Sequence, residues 1–249
     1  MQKIHVLSKK EELDGERLDS KVVIVLDILF ATTTMVGVLA DGASAVVPMA
    51  DGPSAVEEVA RRPQGSCLLA GELNAETLPG FLAATPANLL AEGVKGRTLV
   101  YATTNGTPAV LASKSAHAVY VAALTNAKAV VDHVVAHHPD RTVLIVCAGS
   151  AGRFNLEDFY GAGYLVSLFR AAGGGRDYTD AALAAGLLHA QGEGQPEARH
   201  ALWLARVGRR MLSKGLEDEV RYAARKSWID VVPRFQDGVV TLLQQGSPR

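Results

Sequence analysis

The sequence contains little cysteine and almost no net charge. Only 2 of its 249 residues are cysteine, Cys67 and Cys147, and both lie inside apolar runs. Two cysteines cannot cross-link a chain of this length effectively, so we expect a reducing compartment. Lys and Arg number 25 against 26 Asp and Glu, which gives a net charge of −1. Because nucleic acids and anionic membranes are bound through clustered positive charge, neither is an expected partner.

Long apolar runs are also absent. The most apolar stretch, residues 22–31, is too short to span a bilayer and contains Asp27, and residues 1–10 lack the apolar segment of a secretory signal. With 48% hydrophobic and 20% charged residues, the composition indicates a chain that buries a core. The sequence therefore predicts a soluble, cytoplasmic protein.

Short apolar runs alternate with segments whose apolar residues recur every three or four positions, a pattern typical of strands connected by helices. It predicts strands at 21–27, 45–49, 66–72, 98–103, 118–122 and 142–148, and helices at 33–40, 53–61, 86–92, 108–114 and 127–138. Further helices are predicted at 155–172, 177–189, 196–213 and 216–226, with short strands near 229–232 and 239–243. We expect one α/β domain over residues 1–249, with a sheet-rich part (1–150) covered by helices on both faces and a mostly helical part (151–249).

Polar residues follow four of the predicted strands, at the points where the strands end. They are Asp27, Glu72, the Thr-Thr-Asn-Gly-Thr segment 103–107 and the Gly-Ser-Ala-Gly-Arg segment 149–153. Because ligands of open α/β sheets bind at the carboxyl ends of the strands, we expect these residues to share one site. Carboxylates suit a divalent cation, whereas hydroxyls, amides and an arginine suit an oxyanion.

Segment 103–107 is the best candidate for binding the oxyanion, because small polar residues there lead directly into a predicted helix whose free N–H groups favour an anion. Ordinary N-capping by Thr104 or Asn105 is the alternative, although it explains only one such residue.

The carboxylates also have alternative interpretations. Asp27 is a candidate metal ligand, general base or nucleophile, or else a cap of the following helix. Glu72 is either a site residue or a solvated loop acid. Asp158 lies three residues after Asn155, which is close to a capping box at a helix start.

Cys147 and Arg153 form a second arrangement. They have the Cys-x5-Arg spacing of the cysteine-phosphatase loop, in which a thiolate attacks a phosphoryl group that the arginine holds. Val146 stands where that loop usually has histidine, and Phe154 where it usually has Ser or Thr. A buried core cysteine is the simpler interpretation of Cys147, whereas Arg153 remains a candidate anion ligand in either case.

Taken in order, these segments resemble the 2-phosphosulfolactate phosphatase (ComB-like) family. The matching pieces are Val-Leu-Asp-Ile-Leu at 25–29 with Ala-Thr-Thr at 31–33, Ala-Gly-Glu at 70–72, Gly-Phe at 80–81, Thr-Thr-Asn-Gly-Thr at 103–107, Cys-Ala-Gly at 147–149 with Gly-Arg at 152–153, Glu-Asp at 157–158, and Lys-Gly-Leu at 214–216 with Asp218. They extend over nearly the whole chain, and the Thr-Thr-Asn-Gly-Thr and Glu-Asp pieces are the most specific.

The resemblance implies a three-layer α/β/α fold with a mostly parallel or mixed sheet, commonly as a homodimer. It implies a Mg²⁺-dependent hydrolase of a small acidic phosphomonoester, as in the conversion of 2-phosphosulfolactate to sulfolactate and phosphate in coenzyme M biosynthesis. By position, Asp27, Glu72 and Asp158 would be metal-binding or water-activating carboxylates. The substrate would lie near Thr32, Thr33, Thr104, Asn105, Gly106, Thr107, Gly149, Gly152 and Arg153.

Two departures from the family pattern concern positions where it has arginine. Phe30 and Leu73 occupy these positions, and neither side chain can bind a sulfonate or carboxylate. Arg97 and Arg176 are candidates for supplying the missing charge. Two other hypotheses therefore stay open: a cysteine phosphatase that uses Cys147 and Arg153, and a non-catalytic relative that binds an anion or metabolite.

Overall fold

A computed structural model describes residues 1–243. In this part of the chain one eleven-stranded sheet contains β1 (Lys3–Leu7), β2 (Val22–Leu26), β3 (Ala45–Met49), β4 (Cys67–Leu73), β5 (Glu76–Thr77), β6 (Thr98–Ala102), β7 (Ala118–Ala122), β8 (Val143–Cys147), β9 (Asp177–Tyr178), β10 (Pro233–Gln236) and β11 (Val239–Leu242). Its α-helices are α1 (Ala31–Ala40), α2 (Gly52–Ala60), α3 (Pro86–Ala91), α4 (Gly106–Ala112), α5 (Ala127–His137), α6 (Leu156–Ala171), α7 (Asp180–Gly192), α8 (Ala201–Leu204), α9 (Arg206–Ser213) and α10 (Glu217–Ala224). The predicted α/β class is confirmed.

The sheet consists of two parallel parts joined by an antiparallel hairpin. Its strand order is β5-β4-β6-β3-β11-β10-β7-β2-β8-β1-β9. β3, β4 and β6 pair in parallel, as do β7, β2, β8, β1 and β9. β10 and β11 pair antiparallel with each other and with β7 and β3 on either side. The sheet is therefore mixed, and the end of the chain contributes strands to its centre.

Apolar side chains are buried on both faces of the sheet. In β2, Val22, Ile24 and Leu26 pack on the face that carries α5 and α6, whereas Val23 and Val25 pack on the face that carries α1. This arrangement explains why the strand sequence is apolar at every position, because a strand covered on both sides has no solvent face. No helix in residues 1–243 is long and apolar enough to cross a membrane.

The C-terminal part differs from the prediction in two places. The strand predicted near 229–232 is wrong, because β10 begins only at Pro233. The segment before it is instead hydrogen-bonded to the loop after β7: the Ile229 N–H donates to the Thr125 carbonyl at 3.0 Å. The helix predicted at 177–189 begins only at Asp180, because residues 177 and 178 pair with β1.

The helix predicted at 196–213 is also interrupted. It consists of a 3₁₀ turn at Glu197–Arg199 followed by α8 and α9, and Ala205 between the two helices has an extended ψ of 147°. β1 was not predicted at all. Burial alternates along β1, whereas every residue of β2 and β8 is buried. The sequence of β1 therefore lacks the continuous apolar run that predicts β2 and β8.

Candidate functional site

A cleft lies at the carboxyl ends of the parallel strands. Its lining contains three carboxylates, from Asp27, Glu72 and Glu157, and two guanidinium groups, from Arg206 and Arg210. β2 pairs in parallel with β8, and β4 with β6, but the three antiparallel pairings at the hairpin make these two pairs run in opposite directions. The residues that follow both pairs nevertheless meet, because Gly106 after β6 lies against Asp27 after β2. The cleft is therefore bounded by the carboxyl ends of strands from both parallel parts, where ligands of such sheets bind.

Asp27 is the first residue after β2. Its backbone N–H donates to Thr32 Oγ1 at 2.9 Å, and the Thr32 hydroxyl donates to the Asp27 carbonyl at 3.0 Å. Its carboxylate lies against the start of α4, where a Cβ on Gly106 would be 2.5 Å from Asp27 Oδ2. Burial raises the pKa of Asp27 well above its usual range, and the negative charges of Asp158 and Glu72 add to this effect.

Glu72, near the end of β4, is held in one orientation by three hydrogen bonds. Its Oε1 accepts the Thr104 N–H at 2.7 Å, and its Oε2 accepts the Ala75 N–H at 2.6 Å and the Thr104 hydroxyl at 3.1 Å. Thr104 therefore fixes Glu72 and does not itself line the cleft.

Glu157 and Asp158 both lie in the first turn of α6 but have different surroundings. Asp158 is fully buried, and its Oδ1 and Oδ2 accept the backbone N–H groups of Ile28 at 2.9 Å and Gly149 at 3.1 Å. It thus ties together the loops after β2 and β8 and does not line the cleft, which argues against its predicted metal-binding role. Glu157 lines the cleft instead. Burial raises the pKa of Glu157 to about 7, with Arg206 acting in the opposite direction.

The predicted oxyanion segment is mostly structural. The Thr103 and Thr107 hydroxyls each accept the other residue's backbone N–H at 3.0 Å, which connects the end of β6 to the first turn of α4. Gly106 lies beneath Asp27 as described above. Within this segment only Asn105 lines the cleft: its Oδ1 accepts Lys10 Nζ at 3.1 Å and the Ala151 N–H at 3.3 Å. Asn105 Nδ2 has no hydrogen-bond partner within residues 1–243.

Of the other predicted substrate residues, only Gly149 lines the cleft. Thr32 and Thr33 are buried, and the Thr33 hydroxyl donates to the Ile28 carbonyl at 2.6 Å, so both support the loop that carries Asp27. Gly152 is exposed at the tip of a turn.

The Cys147–Arg153 arrangement does not form the cradle of a cysteine phosphatase. Cys147 is fully buried in the core, and burial raises the pKa of its thiol well above the usual value, which disfavours the thiolate. Ser150 and Arg153 exchange backbone hydrogen bonds at 2.9 and 3.1 Å around Ala151 and Gly152, both with positive φ, as in a type I′ turn. The Arg153 side chain is exposed and lies outside the cleft lining. The structure therefore favours the carboxylates over the thiol as the reactive groups.

The cleft's two arginines were missed by the sequence reasoning. Arg206 and Arg210 both belong to α9, and their position depends on how that helix packs beside the sheet, which no local pattern reveals. The predicted substitutes are elsewhere: Arg97 donates to the Cys67 carbonyl and Arg176 to Gln2 Oε1. Phe30 lines the cleft, whereas Leu73 is exposed outside it.

The carboxylates of the cleft suit Mg²⁺ only in part. Within residues 1–243 no group of three or more His, Cys, Asp or Glu side chains is arranged closely enough to hold a metal ion alone. Mg²⁺ commonly uses one or two carboxylates together with water and substrate oxygens. Asp27 and Glu157 fit that requirement, because both carboxylates are in the cleft lining and, besides burial, the negative charge of Asp27 contributes to the raised pKa of Glu157, a repulsion that a bound cation would relieve.

Comparison with known proteins agrees with the resemblance described above. The family model described as 2-phosphosulpholactate phosphatase matches residues 7–238. A protein of Symbiobacterium thermophilum named "Probable 2-phosphosulfolactate phosphatase" is 33% identical over 231 residues, which covers 92% of this chain and 97% of that protein. Proteins with the same name from Carboxydothermus hydrogenoformans and Caldicellulosiruptor saccharolyticus are 34% and 31% identical, and the alignments cover 95% and 96% of this chain and 95% and 98% of those proteins.

Proposed function

Because the chain belongs to the 2-phosphosulfolactate phosphatase family, we propose that it hydrolyses a small acidic phosphomonoester in a Mg²⁺-dependent reaction. The observation that carries this proposal is that the lining of one cleft contains both carboxylates and guanidinium groups. Carboxylates attract a divalent cation, and guanidinium groups bind the oxygens of an anionic substrate. A site for a phosphomonoester and its metal ion needs both.

Asp27 and Glu157 are the residues that would hold Mg²⁺. When bound, the ion supplies charge neutralisation at the phosphoryl oxygens and orientation of the attacking water. Asn105 is oriented by the bonds to its Oδ1, which leaves its Nδ2 free to donate to a phosphoryl oxygen. Glu72 keeps a fixed carboxylate at the cleft wall, where it can accept a hydrogen bond from the attacking water.

The proposed substrate is 2-phosphosulfolactate, which would yield sulfolactate and phosphate, as the names of the relatives indicate. We extend the proposal to a homodimer and to a step of coenzyme M biosynthesis, as the family resemblance implies. Light scattering of the purified protein measures the oligomeric state independently of activity.

The proposal is tested by assaying phosphate release from a panel of phosphomonoesters, with 2-phosphosulfolactate and phospholactate included, in Mg²⁺ and in EDTA. We expect release that requires Mg²⁺ and that falls at least about 100-fold in Asp27→Ala. Asp132→Ala, which removes an exposed carboxylate of α5, is the matched control and should retain activity. Release that survives EDTA unchanged would overturn the metal requirement, and no release from any ester would overturn the function.

A further inference from the structure

Helix α9 begins with a charge that opposes the helix dipole. Arg206 is its first residue, and no acidic residue lies in the first turn, whereas Arg210 lies in the last turn, where positive charge is favourable. Positive charge near a helix N-terminus is unfavourable, because the free N–H groups there already carry partial positive charge. The next helix, α10, follows the rule, with Glu217, Asp218 and Glu219 in its first turn. Departures from such local sequence preferences are expected at functional or strained sites. The positive charge of Arg206 at a helix start is therefore a candidate for a functional role.

Arg206 and Arg210 differ in whether their charge is already paired. Arg210 Nη2 lies 3.0 Å from Glu76 Oε1, and Lys214 Nζ lies 2.5 Å from the same oxygen. Arg206 also lines the cleft, where its charge lowers the pKa of Glu157, but it forms no hydrogen bond or ion pair within residues 1–243. Among the side chains of the cleft lining, it is the basic group in this part of the chain that remains available to an anion.

The packing of α9 holds Arg206 in place. A Cβ on Gly208 would lie 1.7 Å from the Leu202 carbonyl oxygen and 3.6 Å from Leu29 Cδ1. The helix is therefore in close contact both with α8 and with the loop that carries Asp27. The Arg210 and Lys214 ion pairs attach its other end to the segment after β4. These contacts fix the backbone position from which the exposed Arg206 side chain reaches the cleft.

We infer that Arg206 binds the acidic group of the substrate that is not the phosphoryl group, a carboxylate or a sulfonate. The inference rests on the proposed function, in which Asn105 and the Mg²⁺ that Asp27 and Glu157 would hold meet the phosphoryl charge. The second acidic group then needs its own cation, and a guanidinium matches the two oxygens of a carboxylate or sulfonate with two parallel N–H groups. Phe30 and Val207, which also line the cleft, cannot supply this contact.

Calorimetric binding of two probes, sulfolactate and inorganic phosphate, tests the inference without turnover. In Arg206→Gln we expect the dissociation constant of sulfolactate to rise at least about 10-fold and that of phosphate to change less than about 2-fold. Arg206→Lys should recover part of the loss, because it restores the charge but not the paired geometry. Arg209→Gln is the matched control: this exposed arginine of the same helix donates to the Leu204 carbonyl and lies outside the cleft lining, so neither constant should change.

Steady-state kinetics provide the second measurement. Arg206→Gln should raise KM for phospholactate at least about 10-fold while KM for ethyl phosphate, which has no second acid, stays unchanged. Equal losses for both esters, unchanged sulfolactate binding in Arg206→Gln, or no binding of sulfolactate to the wild type would each overturn the inference. Absence of turnover with every ester would overturn the proposed function, whereas the calorimetry would still decide the role of Arg206.

Discussion

Glu157 and Asp158 are adjacent carboxylates in the first turn of α6 whose oxygens have different surroundings. Both oxygens of Asp158 accept backbone N–H groups, which compensates for the hydration it loses, whereas Glu157 faces the cleft. The sequence identifies the pair but not which member lies in the site. Successive residues on a helix point about 100° apart, and the rotation of α6 is set by its packing against the sheet.

Substitution of the two residues should have opposite effects on stability. Asp158→Asn leaves a buried N–H of Ile28 or Gly149 facing an amide NH₂ group, and should lower the free energy of unfolding by about 1–3 kcal/mol. Glu157→Gln removes a carboxylate whose pKa in the folded protein is raised to about 7 from 4.5. Between these two values the folded wild type retains a proton that the unfolded chain has lost, so its stability falls as pH rises through this range.

Glu157→Gln should therefore be more stable than the wild type by about 3 kcal/mol at about pH 8 and nearly equal to it at about pH 4.5. Urea unfolding of both variants in EDTA at the two pH values measures these differences. A destabilised Glu157→Gln together with an unaffected Asp158→Asn would reverse our assignment of the cleft residue and the structural residue.

At the scale of elements, helix α9 differs most from the prediction made from the sequence. The helical periodicity continues from 196 to 213 without Gly or Pro at the break, so a single helix was predicted. The extended backbone at Ala205 starts a new helix there and so places Arg206 at a helix N-terminus in the cleft wall. The strand ends that carry Asp27 and Glu72 were predictable, because a continuous apolar run followed by a polar residue marks the end of a buried strand.

Gly208→Ala tests whether the close contact of α9 with α8 positions the cleft. Helix propensity alone favours alanine by about 1 kcal/mol, but the new Cβ would lie 1.7 Å from the Leu202 carbonyl oxygen. We expect a net destabilisation of about 2 kcal/mol, measured by urea unfolding. Gly186→Ala in α7 is the matched control: its nearest contact would be 3.4 Å, so it should be neutral or slightly stabilising. Equal effects of the two substitutions would contradict this account of the packing.

For the whole molecule, the β10–β11 hairpin connects the two parallel parts of the sheet. Its insertion was not predicted, because its strands are only four residues each and pair with residues more than a hundred positions away, as Arg234 does with Tyr120. Strands of residues 1–150 such as β2 and β8 are fully apolar, and this local signal suffices to predict them. The single domain expected over residues 1–249 remains a prediction, which a single unfolding transition seen by both circular dichroism and tryptophan fluorescence would support.

Phe235→Ala tests the central position of the hairpin. Phe235 pairs with Val119 and is only 7% exposed, although it lies near the end of the chain. Truncation should lower the free energy of unfolding by about 3 kcal/mol, since the side chain is part of the core. Phe154→Ala is the matched control, because it removes the same kind of side chain where that side chain is 48% exposed. It should lower the free energy of unfolding by less than about 1 kcal/mol. A loss at Phe235 no larger than at Phe154 would contradict the central placement of the hairpin.

The central claim is that the carboxylates of the cleft, and not the Cys147 thiol, carry out the chemistry. The most direct test is the kcat for phosphate release from 2-phosphosulfolactate in Mg²⁺ by Asp27→Asn and Cys147→Ala, with folding of both checked by circular dichroism. We expect kcat to fall at least about 100-fold in Asp27→Asn and to stay within about 3-fold of the wild type in Cys147→Ala. An active Asp27→Asn together with an inactive, folded Cys147→Ala would contradict it.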